Sequence, residues 1–320
     1  MAVRCTRAPT MATAAAAAAP PLTPDQIGAF ERDGCVTVET GLTEAQLDYF
    51  EAMHDADTLG NPHPAFFEFI AHPTFESIAQ QILRSGNVRI LESGPNRRPP
   101  TDGAPEPEWA PKHGLVGSQW ASGMHSDGQV SLSDFNATPR REHLALWVWL
   151  KDVVPERAAL RVLKGSHVAL QEHWEAMLSL PADQLPINHG PRWADPGEPD
   201  AVPFANQEPT PMVALRGQAT AWTQAALHSM WHNSDTEPRS GFAISWTALE
   251  ASVGGMSFRW HDQEAETADR IEGIRQRSIE QRGQLAPDRQ HIMFTEAELD
   301  WSVAQWEEKW PQSLRQRFRL

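Results

Sequence analysis

Basic charge is scarce in this chain. Its 320 residues hold 27 Lys and Arg against 42 Asp and Glu, a formal net charge of −15. That balance argues against nucleic acid or an anionic membrane as the main partner, because either calls for a basic face. Cysteine is nearly absent too. Cys5 and Cys35 can form no disulfide framework, and neither belongs to a CxxC pair. No run of about 18 apolar residues occurs, which excludes a membrane-spanning helix. What remains is an ordinary folding composition, 40% hydrophobic and 22% charged, too apolar for a disordered chain. Thirteen Trp stand beside a single Tyr, an excess that needs a place in the fold.

Residues 1–22 carry Arg4 and Arg7, no acid, and six consecutive alanines from Ala14 to Ala19. They read as a low-complexity tail on a cytoplasmic protein, with an organelle transit peptide as the alternative. Residues 23–320 read as a single domain, with a β core over about 86–250 and a helical extension over 263–320. Thr23-Pro24-Asp25-Gln26 is a capping box with Pro at the first helical position, and Thr43-Glu44-Ala45-Gln46 is a second box. These open helices to about Gly34 and Ala56, and residues 74–84 give a third. From Val88 the texture turns to short β-branched runs: Val88–Leu91, 123–130, Leu144–Leu150, Leu160–Leu163, Met212–Leu215, Ala219–Trp222 and Gly241–Trp246. Two loops interrupt them, with six prolines in 95–111 and eight in 181–211, the length and composition of lids or binding loops. Helices return over 263–283 and 295–318, where Trp301, Trp306 and Trp310 are expected to anchor the extension. Helices, many short strands, then helices predict a β-sandwich or barrel buttressed by helices.

His125-Ser126-Asp127 is the first candidate for chemistry. On a strand, residues two apart share a face, so the imidazole and carboxylate can grip one cation with Gln129 beside them. Alone the triplet is weak. Downstream, Leu227-His228 ends a strand-like run starting near Gly217, and Arg239 opens the next strand after a polar turn. A hairpin of this kind would put His228 and Arg239 on neighbouring strands. Two His and one Asp with open positions match the facial triad of non-haem Fe(II) sites. An arginine fork suits the distal carboxylate of a 2-oxo acid.

With those residues in view, the chain resembles the phytanoyl-CoA dioxygenase (PhyH-like) family of Fe(II)/2-oxoglutarate oxygenases. The resemblance runs from about Thr23 to Trp246, through QIGAFERDGCVTV, the H-x-D at 125–127, LALWVWLKDV…AALRVLKGSH and LHSMWHNSDTEPRSGFAISW. Asn233 and Arg239 fall five and eleven residues after His228, as in the family. The resemblance implies a double-stranded β-helix (a jelly-roll, cupin-like core) with flanking helices. It implies iron held by His125, Asp127 and His228, 2-oxoglutarate anchored by Arg239 and lined by Trp147, and O2 as oxidant. Asp127 stands where halogenating relatives have Gly or Ala, which makes hydroxylation of a small-molecule metabolite the expected outcome. Decarboxylation of 2-oxoglutarate to succinate accompanies it.

The motif departs from the family after the distal histidine, where small residues are usual and this chain has Ser229-Met230-Trp231-His232. Met230 removes a hydroxyl near the co-substrate, and His232 becomes a rival ligand. Gly165-Ser166-His167 reads as a structural turn that starts a helix. Trp120, Trp222 and Trp231, with Trp147, could line an aromatic substrate pocket; the alternative is that tryptophans simply fill the core. Two other classes remain open: a catalytically silent jelly-roll module that binds a ligand, and a zinc-dependent hydrolase using the same ligands.

Overall fold

The computed structural model describes residues 22–101, 126–127, 130–179, 208–230, 233–251 and 264–309. Both capping boxes form. Thr23 and Gln26 exchange side-chain bonds to each other's backbone N–H ahead of α1 (Pro24–Asp33), and Thr43 and Gln46 do the same ahead of α2 (Glu44–Asp55). Each satisfies N–H groups that a helix start otherwise leaves bare. α1 stops at Gly34, whose φ of 77° and close approach to the His167 ring both require glycine: an added Cβ would lie 2.6 Å from Nδ1. His167 is buried and its Nε2 meets the Glu31 carbonyl, so the Gly-Ser-His turn is structural. Two short helices escaped the sequence reading, α3 (Pro64–Ile70) and α5 (Leu132–Asn136); α4 (Pro73–Leu83) lies between them.

Among the described residues, eight strands form two antiparallel sheets. The larger holds β1 (Cys35–Glu39), β6 (Gln218–Thr223), β3 (His143–Trp149), β8 (Arg239–Ala248) and β2 (Val88–Arg98), in that spatial order. The smaller places β4 (Leu160–Val162) between β5 (Thr210–Pro211) and β7 (His228–Met230). The two-residue period of a strand sorts β3 into two faces. Leu144, Leu146 and Val148 join Phe242, Ile244, Phe66, Phe69 and Phe75 in the core under α3 and α4. Ala145, Trp147 and Trp149 point the other way, towards the smaller sheet, where Leu160, Val162, Met212 and Trp222 pack. This is the jelly-roll type of sandwich, with helices on one face of the larger sheet.

Several local expectations change. β2 runs on to Arg98, through Pro95, into what reads as a proline-rich loop. As the edge strand of its sheet, β2 can lack one N–H without breaking an inner ladder. Ser126, Asp127 and Val130, the described members of the 123–130 run, lie outside any strand. The expected strand at Met212–Leu215 is replaced by the two residues of β5 and an isolated bridge between Val153 and Ala214. The run from Gly217 to His228 is broken by a turn at 224–227, so His228 begins a strand in the other sheet. β7 pairs with β4, and β8 with β3 and β2. His228 and Arg239 therefore belong to different sheets, and are not hairpin neighbours.

α6 (Ser166–Leu178) packs against α5 and α1, and after β8 the helices α7 (Glu264–Arg282) and α8 (Glu296–Lys309) pack on β2 through Ile274, Leu299, Phe294 and Leu91. Arg89 of β2 pairs with Glu298 at 2.7 Å. Trp301 is exposed and anchors nothing; Leu299 carries that contact. The side chain of Trp306 and all of Trp310 lie outside the described residues. No described helix is long and apolar enough to cross a membrane.

Candidate active site

The space between the sheets holds a cavity of about 380 Å³, lined by residues of both: Glu92, Ser93, Gly94 and Pro95 from β2, Ala145 and Trp147 from β3, Ala243 and Ser245 from β8, Trp222 from β6, and His228, Ser229 and Met230 from β7. Asp127 completes its wall. Two predicted ligands thus meet here. His228 Nε2 lies 3.3 Å from Asp127 Oδ2.

The turn between β6 and β7 sets that geometry. Asp127 N–H donates to the Gln224 carbonyl at 2.8 Å, and His228 Nδ1 lies 3.0 Å from the Ala226 carbonyl. A carbonyl oxygen only accepts, so Nδ1 carries a proton in this contact and Nε2 is the ring nitrogen turned to the carboxylate. A proton on Nε2 or a metal cation can bridge that pair. A backbone carbonyl behind the imidazole is also the arrangement that orients histidine for a metal. The donor set, one imidazole nitrogen and one carboxylate oxygen on a water-reachable cavity, fits Fe(II). Among the described residues no group of three His, Cys, Asp or Glu side chains converges. His125, Gln129, Trp120, Trp231 and His232 lie outside the described residues.

Arg239 is fully buried behind Met230 and Trp147 of the cavity wall. Its guanidinium reaches the Ala158 carbonyl, Asn96 Oδ1 and, at 3.3 Å, Met230 Sδ, and its carbon lies 5.0 Å from the Trp147 ring centroid. None of these partners is an anion. No carboxylate among the described residues comes within salt-bridge distance of it, and Nε has no partner. Burial, with Arg98 nearby, pushes its pKa down to about 9. A buried cation without a counter-charge is costly and creates strong demand for an anion.

Trp147 is the hinge of the aromatic arrangement. It meets Trp222 edge-on at 5.0 Å and Trp149 edge-on at 5.5 Å, while Trp222 sits 5.5 Å from the His228 ring. Trp147 and Trp222 both line the cavity, and Trp222 is also deeply buried core. Asn233 holds the turn before β8 by donating to the Arg98 and Glu237 carbonyls at 2.9 and 2.8 Å. The sequence reading missed Asn96 and Glu92. Only the pairing of β2 with β8 reveals them, by setting Asn96 opposite Gly241 and Glu92 opposite Ser245.

A family model described as phytanoyl-CoA dioxygenase (PhyH) matches residues 16–241, a span that includes every residue of this cavity except Ala243 and Ser245. The chain belongs to the PhyH family of Fe(II)/2-oxoglutarate-dependent oxygenases. No curated protein sequence matches this PhyH-family chain. Among solved structures, it is similar to the non-haem α-ketoglutarate-dependent carbocyclase SnoK from nogalamycin biosynthesis, at 17% identity and a TM-score of 0.49, covering 78% of this chain and 90% of that one. It is also similar to EctD from S. alaskensis with bound Fe, at 16% identity and 0.47, covering 72% and 78%. HygX from Streptomyces hygroscopicus, with nickel and 2-oxoglutarate bound, gives 15% and 0.46, covering 71% and 87%.

Proposed function

We propose that this PhyH-family protein hydroxylates a small-molecule metabolite, using Fe(II) held by Asp127, His228 and His125, and 2-oxoglutarate anchored by Arg239. One observation carries the reading: a buried arginine, without an acidic partner among the described residues, packed behind Trp147 and Met230 of the cavity that Asp127 and His228 share. Bound there, the iron would supply O2 activation coupled to decarboxylation of 2-oxoglutarate to succinate and CO2.

The chain's own residues do the rest. Asp127 supplies negative charge and His228 a neutral nitrogen, its tautomer fixed by Ala226. Arg239 neutralises the far carboxylate of 2-oxoglutarate in a dry setting, where the pairing is strong. Asn96 and the Ala158 carbonyl keep the guanidinium from swinging away. Trp147 and Met230 keep water from that end of the cavity. The size of the cavity suits a small molecule.

The test is succinate formation from 2-oxoglutarate by purified protein. It should require added Fe(II), vanish in Asp127→Ala and, in Arg239→Met, need at least about tenfold more 2-oxoglutarate for half-saturation. Protein that binds neither Fe(II) nor 2-oxoglutarate overturns the reading. Zinc-dependent hydrolysis insensitive to Arg239→Met would point to the hydrolase alternative.

A further inference from the structure

The inner face of the larger sheet is electrically divided along β2 and β8. Their rungs on this face are Arg98 with Arg239, Asn96 with Gly241, Gly94 with Ala243, and Glu92 with Ser245. Cationic side chains stand at one end. A carboxylate and a hydroxyl stand at the other, with Ser245 Oγ donating to Glu92 Oε1 at 3.4 Å. Asn96 lies four positions beyond Glu92, about 13 Å along a strand. Glu92 is exposed at the cavity wall, and among the described residues no Lys, Arg or His nitrogen pairs with it.

The stretch between the two ends is lined by the small residues Gly94, Ala145 and Ala243. A Cβ added at Gly94 would meet nothing within 4 Å. A ligand can therefore lie flat on the sheet here. With Trp147 and Trp222 on the flank, the seat is apolar in the middle and acidic at its rim.

We propose that the primary substrate carries a cationic nitrogen, an amine or ammonium, that binds Glu92 and Ser245 while its body lies over Gly94, Ala145 and Ala243. This rests on the oxygenase reading for which carbon is oxidised, but the seat is defined by its own residues. The dianionic co-substrate goes to the Arg239 end. Opposite charge at the Glu92 end then keeps the two ligands from exchanging places, and a carboxylate attracts an ammonium through a charge-assisted hydrogen bond.

Three probes of matched shape test this: 2-phenylethylamine, 2-phenylethanol and 3-phenylpropionate. They are titrated calorimetrically into anaerobic full-length protein saturated with Fe(II) and 2-oxoglutarate. The amine should bind about tenfold more tightly than the alcohol, with the carboxylate weakest. Glu92→Gln should erase the amine's advantage and leave 2-oxoglutarate affinity unchanged. Gly94→Val should weaken all three probes with 2-oxoglutarate again unchanged. Equal binding of amine and alcohol, binding of none, or an advantage that survives Glu92→Gln overturns the proposal. The amine and alcohol are also compared in metal-free protein. If 2-oxoglutarate does not bind but the amine's advantage persists and needs Glu92, the oxygenase reading fails and the amine seat stands.

Discussion

The guanidinium carbon of Arg239 lies 5.0 Å from the ring centroid of Trp147. That stacking joins the buried cation to the aromatic wall shared with Asp127 and His228. Cation–π contacts away from water contribute on the order of 1–2 kcal/mol. Trp147→Leu should therefore weaken 2-oxoglutarate binding about tenfold in calorimetry, and Trp147→Phe by less. Unchanged affinity in the Leu variant would show that the stacking does not hold the guanidinium in place.

Glu142 yields a pH prediction. It is fully buried, and burial raises its pKa from 4.5 to about 7 despite Arg140 and the hydrogen bond from Thr223. Below about 4.5 the carboxyl is neutral in both folded and unfolded chains. Between about 4.5 and about 7 the unfolded chain ionises first, so this group lowers stability as pH rises. Above about 7 the folded state carries the whole penalty, on the order of 3 kcal/mol. Glu142→Gln should thus gain stability relative to wild type between about pH 5 and about pH 8. Urea midpoints at both pH values check it. A gap between the two proteins that does not change with pH defeats the prediction.

Gly241 faces Trp149 so closely that a Cβ would lie 2.8 Å from Cε3 and 3.0 Å from the Val148 carbonyl. Trp149 is itself held by Nε1–H donating to Thr220 Oγ1 at 2.9 Å. Gly241→Ala should cost about 1–3 kcal/mol, read from chemical denaturation. Because Trp149 meets Trp147 edge-on, the same variant should also lose 2-oxoglutarate affinity. A variant as stable as wild type would mean the sheet yields at this point without strain.

The two capping boxes, none of whose residues line the cavity, give a control. Thr23→Ala and Thr43→Ala should each lower stability by about 1 kcal/mol, and the double variant by about the sum. Neither should alter 2-oxoglutarate affinity. A large loss of affinity in Thr43→Ala would show that α2 supports the site more directly than its contacts indicate.

Elements whose rules are local were legible before the fold was known. The capping boxes, the glycine stop at Gly34 and the strand at Leu144–Leu150 all came from neighbouring residues. Asp127, His228, Trp147 and Trp222 do share one cavity. What escaped the sequence depends on which strand pairs with which. Nothing within 217–239 says that the chain leaves one sheet at Thr223 and enters the other at His228, so a hairpin was the simplest reading. Asn96 fell within the proline-rich loop of 95–111, and Glu92 lay just past the strand expected at Val88–Leu91. Their roles arise only because β2 is an edge strand that tolerates Pro95 and lies in register with β8.

That crossing between sheets has a mechanical consequence. The turn at 224–227 provides the carbonyl that tethers Asp127 and the carbonyl that orients His228. Both donor groups are referenced to the same short piece of backbone, not to opposite walls of the sandwich. If the sheets spread to admit a bulky guest, the two can travel together, as paired instruments clamped to one rail hold their alignment when the room around them moves. The guest is then free to vary in size without detuning the pair that the chemistry depends on.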